Sequence, residues 1–331
     1  MTTVTSPHDL LNALPFLIGY HPTNSLVLLS VKDDLLEMAM RVDYPINPPD
    51  STIKLLASHL SRDGSDGALA VAYEPENIRD GETILARLAD SISALDLPIR
   101  ELILVRDGKF RSLLCTDRSC CPPDGSPLPD FGSSRIAAEQ VSQGRILPFD
   151  DVAGLSASIA ATPIAKDFAW FEKVSSFAID EASPNLNQLQ RDGAESILTL
   201  ADFFITEGNC SDQDLIARVL GRLTDIQVRD YALGCHGEIS AESYYAMWRV
   251  LLKLAPAGFV APIASIFASI AYERGEGALA HRALDRALID DPQYSLAKLL
   301  RRVFSTGWPP SALSKLRSEL HPKVSRVIFE C

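Results

Sequence analysis

The sequence predicts an α/β domain, a mixed sheet with helical cover, followed by an all-α, tetratricopeptide-like domain. Three observations carry this expectation. Short, nearly continuous apolar runs such as Ser25–Val31, Ala68–Tyr73 and Leu102–Val105 all lie before Cys115. They suit strands covered on both faces. Beyond residue 150 the apolar residues fall at helical spacing, punctuated at Pro184, Gly208, Gly221, Gly234, Pro256, Gly275, Pro292 and Pro309. A chain of 331 residues has length for about two domains at roughly 100–200 residues each. The expected division is 1–150 for the α/β domain, 151–190 for linker or lid helices, and 191–331 for the helical domain.

In chain order, residues 8–20 read as a short amphipathic helix ending near Pro15. Gly19 to Asn24 form a turn into the first strand, Ser25–Val31. Lys32-Asp33-Asp34 reads as a turn, and Leu36–Tyr44 as the second strand of a hairpin. Three prolines between Pro45 and Asp50 make a loop, after which Ser51 is placed to cap a helix running to about Leu60. A strand over 68–73 precedes a helix over 77–95 with apolar positions at Ile84, Leu85, Leu88 and Ile92. Asp107-Gly108 is a hairpin-turn signal between strands 102–105 and 110–115. Residues 116–131 read as a loop, and Ser134 caps a helix to about Gln143. Helices are then expected at 151–175, 191–206, 212–221, 224–233, 240–254, 260–274, 278–289, 295–305 and 311–320.

Lys and Arg total 31 against 43 Asp and Glu, a net charge of −12. A duplex-binding surface needs clustered bases to displace counterions from phosphates, so no nucleic-acid partner is expected. Only the stretch from Arg301 to Cys331 runs the other way, with six bases against two acids. No apolar run approaches the roughly 20 residues of a membrane helix, so no membrane partner is expected. The N-terminal stretch lacks the charged and small-residue pattern of a secretory signal, which leaves a cytoplasmic location and free thiols for the six Cys.

Two signatures stand out: Gly19-Tyr20-His21-Pro22-Thr23-Asn24-Ser25-Leu26-Val27, and Cys115-Thr116-Asp117-Arg118-Ser119-Cys120-Cys121-Pro122-Pro123-Asp124-Gly125. On these the chain resembles a widespread actinobacterial family of unknown function, from about Leu10 to Leu300. That family has a Gly-Tyr-x-Pro-x-x-Ser-Leu-Val segment near its start and a Cys-x-x-Asp-x-x-Cys-Cys-Pro-Pro-(Asp or Glu)-Gly segment about a hundred residues later. Here one residue, not two, separates Cys115 from Asp117. The resemblance implies a bacterial cytosolic protein and brings no activity or cofactor with it. Residues 261–292 are similar to one tetratricopeptide repeat, with Gly275 at the turn, Ala280, Leu284 and Ala287 on the second helix, and Pro292 closing it. An ordinary helical hairpin with small-residue packing gives the same pattern.

The cysteine loop supports three readings. Thiolates of Cys115, Cys120 and Cys121, with Asp117 nearby, could hold zinc, the one cofactor the sequence raises, although adjacent Cys side chains diverge and no second Cys-x-x-Cys pair follows. Cys235-His236 or Cys210 would complete such a site only by tertiary placement. Alternatively Cys120 or Cys121 is a nucleophile activated by Arg118, by Arg111 or by a helix N-terminus, with His21 as base. The simplest reading is a structural loop with its thiols buried and its prolines fixing the turn. Ligand-binding candidates are Tyr20, His21, Asn24 and Ser25 before the first strand, with Arg118 and Asp124 from the other loop. His59, His281 and His321 read as surface residues. The P-loop, dinucleotide, zincin and α/β-hydrolase motifs are absent from the sequence. The leading expectation is a non-catalytic interaction or scaffold protein that holds a protein partner on its helical half. The alternative is a small-molecule-binding protein or enzyme with a site between the Gly19–Ser25 and Cys115–Gly125 loops.

Overall fold

The computed structural model describes residues 6–33, 35–61, 64–119 and 121–330. The chain divides into two compact units, 1–155 and 156–331. The first is α/β and the second is a run of helices.

The first unit begins with helix α1 (Pro7–Ile18), capped by the Ser6 hydroxyl on the Asp9 amide. Strands β1 (Ser25–Lys32) and β2 (Leu35–Asp43) form the expected hairpin; Asp34 of its turn lies outside the described residues. Helix α2 (Asp50–Leu60), β3 (Gly67–Tyr73), helix α3 (Gly81–Ser93), β4 (Ile99–Arg106), β5 (Lys109–Ser112), the two-residue β6 (Ser126–Pro127) and α4 (Arg135–Ser142) follow. The strands form one mixed sheet in the order β2-β1-β3-β4-β5-β6. Among the named strands of the described residues, β3 and β4 alone pair in parallel, joined through α3, since a parallel pair needs a crossover.

Alternation along the strands sends side chains to two separate cores. Leu26, Leu28, Ala70, Leu102 and Leu104 pack under α2 and α3 with Ile53, Leu60, Leu85 and Leu88. Val27, Leu29, Val71, Ile103 and Val105 pack under α1 with Leu10, Leu11 and Leu14. Each fully buried Leu or Ile contributes about 1.5–3 kcal/mol. That burial carries α1 past Pro15 to Ile18, where the sequence placed its end at the proline. Gly19, at φ +86°, terminates it. Three other boundaries differ. Pro49 occupies the cap position of α2, so Ser51 lies inside the first turn. Helix α3 starts at Gly81 because the preceding residues are held by side-chain contacts described below. Strand β5 stops at Ser112, whose hydroxyl accepts from the Leu114 and Cys115 amides.

Helix α5 (Val152–Ala157) contains the boundary between the units. The second unit continues with α6 (Phe168–Ser175), α7 (Leu186–Thr206), α8 (Gln213–Arg222), α9 (Ile226–Gly234), α10 (Ala241–Leu254), α11 (Val260–Glu273), α12 (Gly277–Asp290), α13 (Ser295–Ser305) and α14 (Pro310–Phe329). The single helix expected over 151–175 is broken by a turn at Pro163–Lys166. From Ser156 on, the stretch read as linker or lid is packed: Trp170 and Val174 are buried, and the Trp170 indole donates to Leu254 O at 2.8 Å.

Helices α11 and α12 form the hairpin seen in the sequence, turning at Gly275 with φ +82°. Ala280, Ala283, Leu284 and Ala287 are fully buried, so the two helices approach closely. Helix α11 is buried continuously from Val260 to Ala271 and packs against α9, α10, α12, α13 and α14. It is a central helix, apolar all round, with no face left to line a groove. The Asp290 carboxylate reaches back from the end of α12 to the Gly258, Val260 and Ala261 amides and satisfies the first turn of α11. His59 is buried, and His281 and His321 are partly buried, so none of the three is the surface residue expected of it. Among the described residues no helix is long and apolar enough to cross a membrane.

Candidate functional site

In the first unit the carboxyl ends of β3 and β4 lie side by side, next to the start of the antiparallel β1. Glu74 directly follows β3, and Arg106 is the last residue of β4. The Glu74 side chain is fully buried. Its carboxylate accepts from the Gly81 amide at 2.7 Å, from Arg106 Nη2 at 3.1 Å and from Arg106 Nε. Arg79 stands 3.6 Å from the same carboxylate and donates to both oxygens of Asp107. The Glu74 hydrogen bond raises the affinity of Arg106 for its proton. Close by, the Tyr44 hydroxyl donates to Asp80 at 2.7 Å, and burial and that contact push its ionisation well above the ordinary range.

The Gly19–Ser25 loop is sewn down by its backbone. His21 N donates to Phe149 O at 2.9 Å, and Phe149 N to Gly19 O at 3.0 Å. Asn24 has φ +44° and gives its carbonyl to the Tyr44 amide. Tyr20 and Ser25 are buried, and the Ser25 hydroxyl has no partner among the described residues. The His21 ring meets the edge of Phe131 at 4.6 Å, and Phe131 stacks on Phe16 at 5.4 Å. Burial lowers the His21 pKa below its ordinary value, and Asp150 opposes this in part. The imidazole is therefore neutral at pH 7.

These parts enclose a cleft of about 490 Å³. Its walls come from α1, the 21–24 loop, the ends of β3 and β4, and residues 128–131. Asn12 of α1 is only 7% exposed and lines it. Its amide has no hydrogen-bond partner among the described residues and opens onto the cleft, where it stays accessible to water. A second hollow of about 370 Å³ adjoins it, sharing Arg106 and Asp107 and lined further by Lys109, Arg111 and Asp124. Arg111 is paired there with Glu82 at 2.6 Å.

Of the residues singled out from sequence, His21 and Asn24 line the cleft and Asp124 lines the adjoining hollow. Tyr20 and Ser25 line neither. The end of the cysteine loop thus reaches the neighbourhood of the first loop, but its cysteines do not. Cys115 and Cys121 are half-buried rather than enclosed, and they line neither hollow. Cys120 lies outside the described residues. Asp117 is engaged within its own turn, accepting from Ser119 N at 2.8 Å and Ser119 Oγ at 2.7 Å. Arg118 is exposed. Among the described residues no three His, Cys, Asp or Glu side chains form a group able to hold a metal ion. Cys235 and His236 belong to the second unit, where burial pushes the Cys235 thiol up to about 12.

Asn12, Glu74, Arg106 and Phe131 were not legible as site residues. A signal for two of them was present: an acid directly after one buried strand and a base ending the next.

The first unit is an α/β module, a mixed sheet covered on both faces with a cleft at the carboxyl ends of its parallel pair. Residues 7–311 match the model of a family described as a domain of unknown function, DUF4192, and the chain belongs to that family. No curated protein and no solved structure matches the chain significantly.

Proposed function

We propose that this protein binds a small molecule in the cleft at the carboxyl ends of β3 and β4, in the cytosol. The observation that carries the reading is Asn12, a residue only 7% exposed whose unpaired amide opens on the cleft wall. A ligand that covers this amide without pairing it loses about 1–3 kcal/mol, so the wall favours one that hydrogen-bonds to it. The volume lies within the roughly 300–1,000 Å³ common for ligand sites. The reading is of binding rather than turnover, because Glu74 and Arg106 occupy each other and Asp107 is held by Arg79. A fragment screen by ligand-observed NMR on the full chain tests it. Hits that lose binding in Asn12→Leu and in Phe131→Ala support the cleft; hits indifferent to both variants, or no hits, refute it.

A second reading places a protein partner on the helical unit. Leu316, Leu320 and Val327 are exposed on α14 at 41%, 46% and 47%, with Lys315, Lys323 and Arg326 beside them. Such a face suits an acidic amphipathic segment. If it is used, Leu320→Asp abolishes capture of the partner without lowering the melting temperature. Unchanged capture removes this reading.

A further inference from the structure

We infer that the cleft takes an uncharged, flat ring carrying an amide-type edge, a hydrogen-bond donor next to an acceptor, as in an aromatic amide or a nitrogen heterocycle. This rests on the reading of the cleft as a binding site and specifies what the site selects.

Three features of the walls lead there. The first is shape. Phe131 is held by stacking on Phe16 and by the His21 ring, so it offers a fixed aromatic surface, and Leu11 and Pro15 add apolar lining. A fixed aromatic wall favours a ring set against it by stacking or edge contact.

The second is hydrogen bonding. The Asn12 amide carries an acceptor oxygen beside a donor nitrogen, and both lack partners among the described residues. Its complement is a neighbouring donor and acceptor on one edge, the pairing by which Asn reads an adenine edge. A purely apolar ring would bury the Asn12 amide unpaired, and the site discriminates against it for that reason.

The third is charge. Arg106 is neutralised by Glu74, and Arg79 bridges Glu74 and Asp107. His21 is held neutral by burial. Glu76, exposed on the cleft wall, has no ion pair among the described residues. The unbalanced charge is therefore negative, and it repels an anion.

The test uses two probes of one shape, benzamide and benzoate, titrated into the full chain at millimolar concentration. Binding is followed by calorimetry and by the ring resonances of His21. Benzamide is expected to bind about tenfold more tightly than benzoate and to lose about tenfold in Asn12→Leu, the loss expected for one buried hydrogen-bonding group. Asn12→Asp keeps the shape but replaces the donors with a carboxylate; it should abolish the preference for benzamide and favour the cation benzamidine. Circular dichroism confirms that each variant is folded. Benzoate binding as well as benzamide, with both lost in Phe131→Ala, overturns the ligand class while the cleft reading survives. Neither probe binding, or binding unchanged in both Asn12→Leu and Phe131→Ala, overturns the two together.

Discussion

At Gly81 a methyl group would stand 2.6 Å from Leu104 Cδ1, 2.9 Å from Glu74 Oε1 and 3.3 Å from the Tyr44 hydroxyl. The Gly81 amide is also one of the donors that hold Glu74. Gly81→Ala must therefore move either a core leucine or the buried carboxylate. Overpacking of this kind costs about 1–3 kcal/mol, read as a lower urea midpoint with an unchanged slope. Full wild-type stability would show that Glu74 has room to shift and is not the fixed anchor described here. Glu74→Gln keeps the volume and removes the charge that compensates Arg106. Because Arg106 retains some solvent, the expected loss is about 1–3 kcal/mol, below that of a wholly buried pair. The cysteines separate in the same way. Cys115, Cys121 and Cys235 are all half-buried as residues, but burial around the Cys235 sulfur pushes its thiol up to about 12 and keeps it protonated at pH 8. Alkylation at pH 8 followed by mass spectrometry should label Cys115 and Cys121 in the native protein and Cys235 only after unfolding. Labelling of Cys235 at the rate of the other two would contradict its raised thiol pKa.

At the scale of elements, the sequence was readable where burial is simple. The apolar runs of β1, β3 and β4 and the Asp107-Gly108 turn follow from local chemistry, and they appear where expected. Proline was the less reliable sign. Helix α1 passes through Pro15 because Leu14 and Ile18 are buried on either side of it, and α14 passes through Pro322 because tertiary contacts hold its far end. Ile328 is buried, Phe329 meets the Tyr231 ring at 5.7 Å, and the Phe329 carbonyl accepts from Arg191. None of these contacts is local in sequence. The same helix is fixed in its middle by Arg317, which donates to both oxygens of Glu273 at 3.0 and 3.1 Å and to the Gly234 and His236 carbonyls. Burial pushes the Glu273 carboxyl up, but the Arg317 hydrogen bonds and the His236 ring 3.8 Å away outweigh it, and its pKa is lowered. Arg317→Leu strands that carboxylate, at about 3–5 kcal/mol. Amide hydrogen exchange should rise across α14 in this variant, and the double variant Arg317→Leu with Glu273→Leu should recover most of the loss. A double variant no better than the single one would mean that the carbonyl contacts, not the ion pair, hold the helix.

Across the whole molecule, the candidate site was the part least legible in the sequence. Asn12 sits on a helix, Glu74 and Arg106 end two strands, and Phe131 lies in a loop; only folding brings them to one cleft. The motif loops were visible because their residues are adjacent, yet each supplies only an edge of the hollows. Charge behaves differently, since it acts over the entire chain. His21, His281 and His321 all have lowered pKa values, with burial the largest cause in each. In the unfolded chain they take up protons near the ordinary value of 6.5, before the folded protein does. Their burial thus contributes stability that is present above that value and is lost as pH falls through and below it. Glu273 has the opposite shift: its contribution is present above the ordinary carboxylate value of 4.5 and is lost further down, toward its lowered folded value. Two successive losses are expected, the first as pH falls below the ordinary histidine value of 6.5 and the second below the ordinary carboxylate value of 4.5. The net charge of −12 at pH 7 also vanishes near the isoelectric point of about 5.0, so the repulsion that keeps copies apart fails before the second loss begins. The melting temperature should fall from pH 7 to pH 5.5, and unfolding should become irreversible near pH 5. Replacing His21, His281 and His321 together with Gln should flatten the first fall and leave the second. A melting temperature that holds steady or rises between pH 7 and 5.5 in the natural sequence would mean that the buried imidazoles find proton acceptors in the folded state, contrary to the neutral His21 on which the charge balance of the cleft depends.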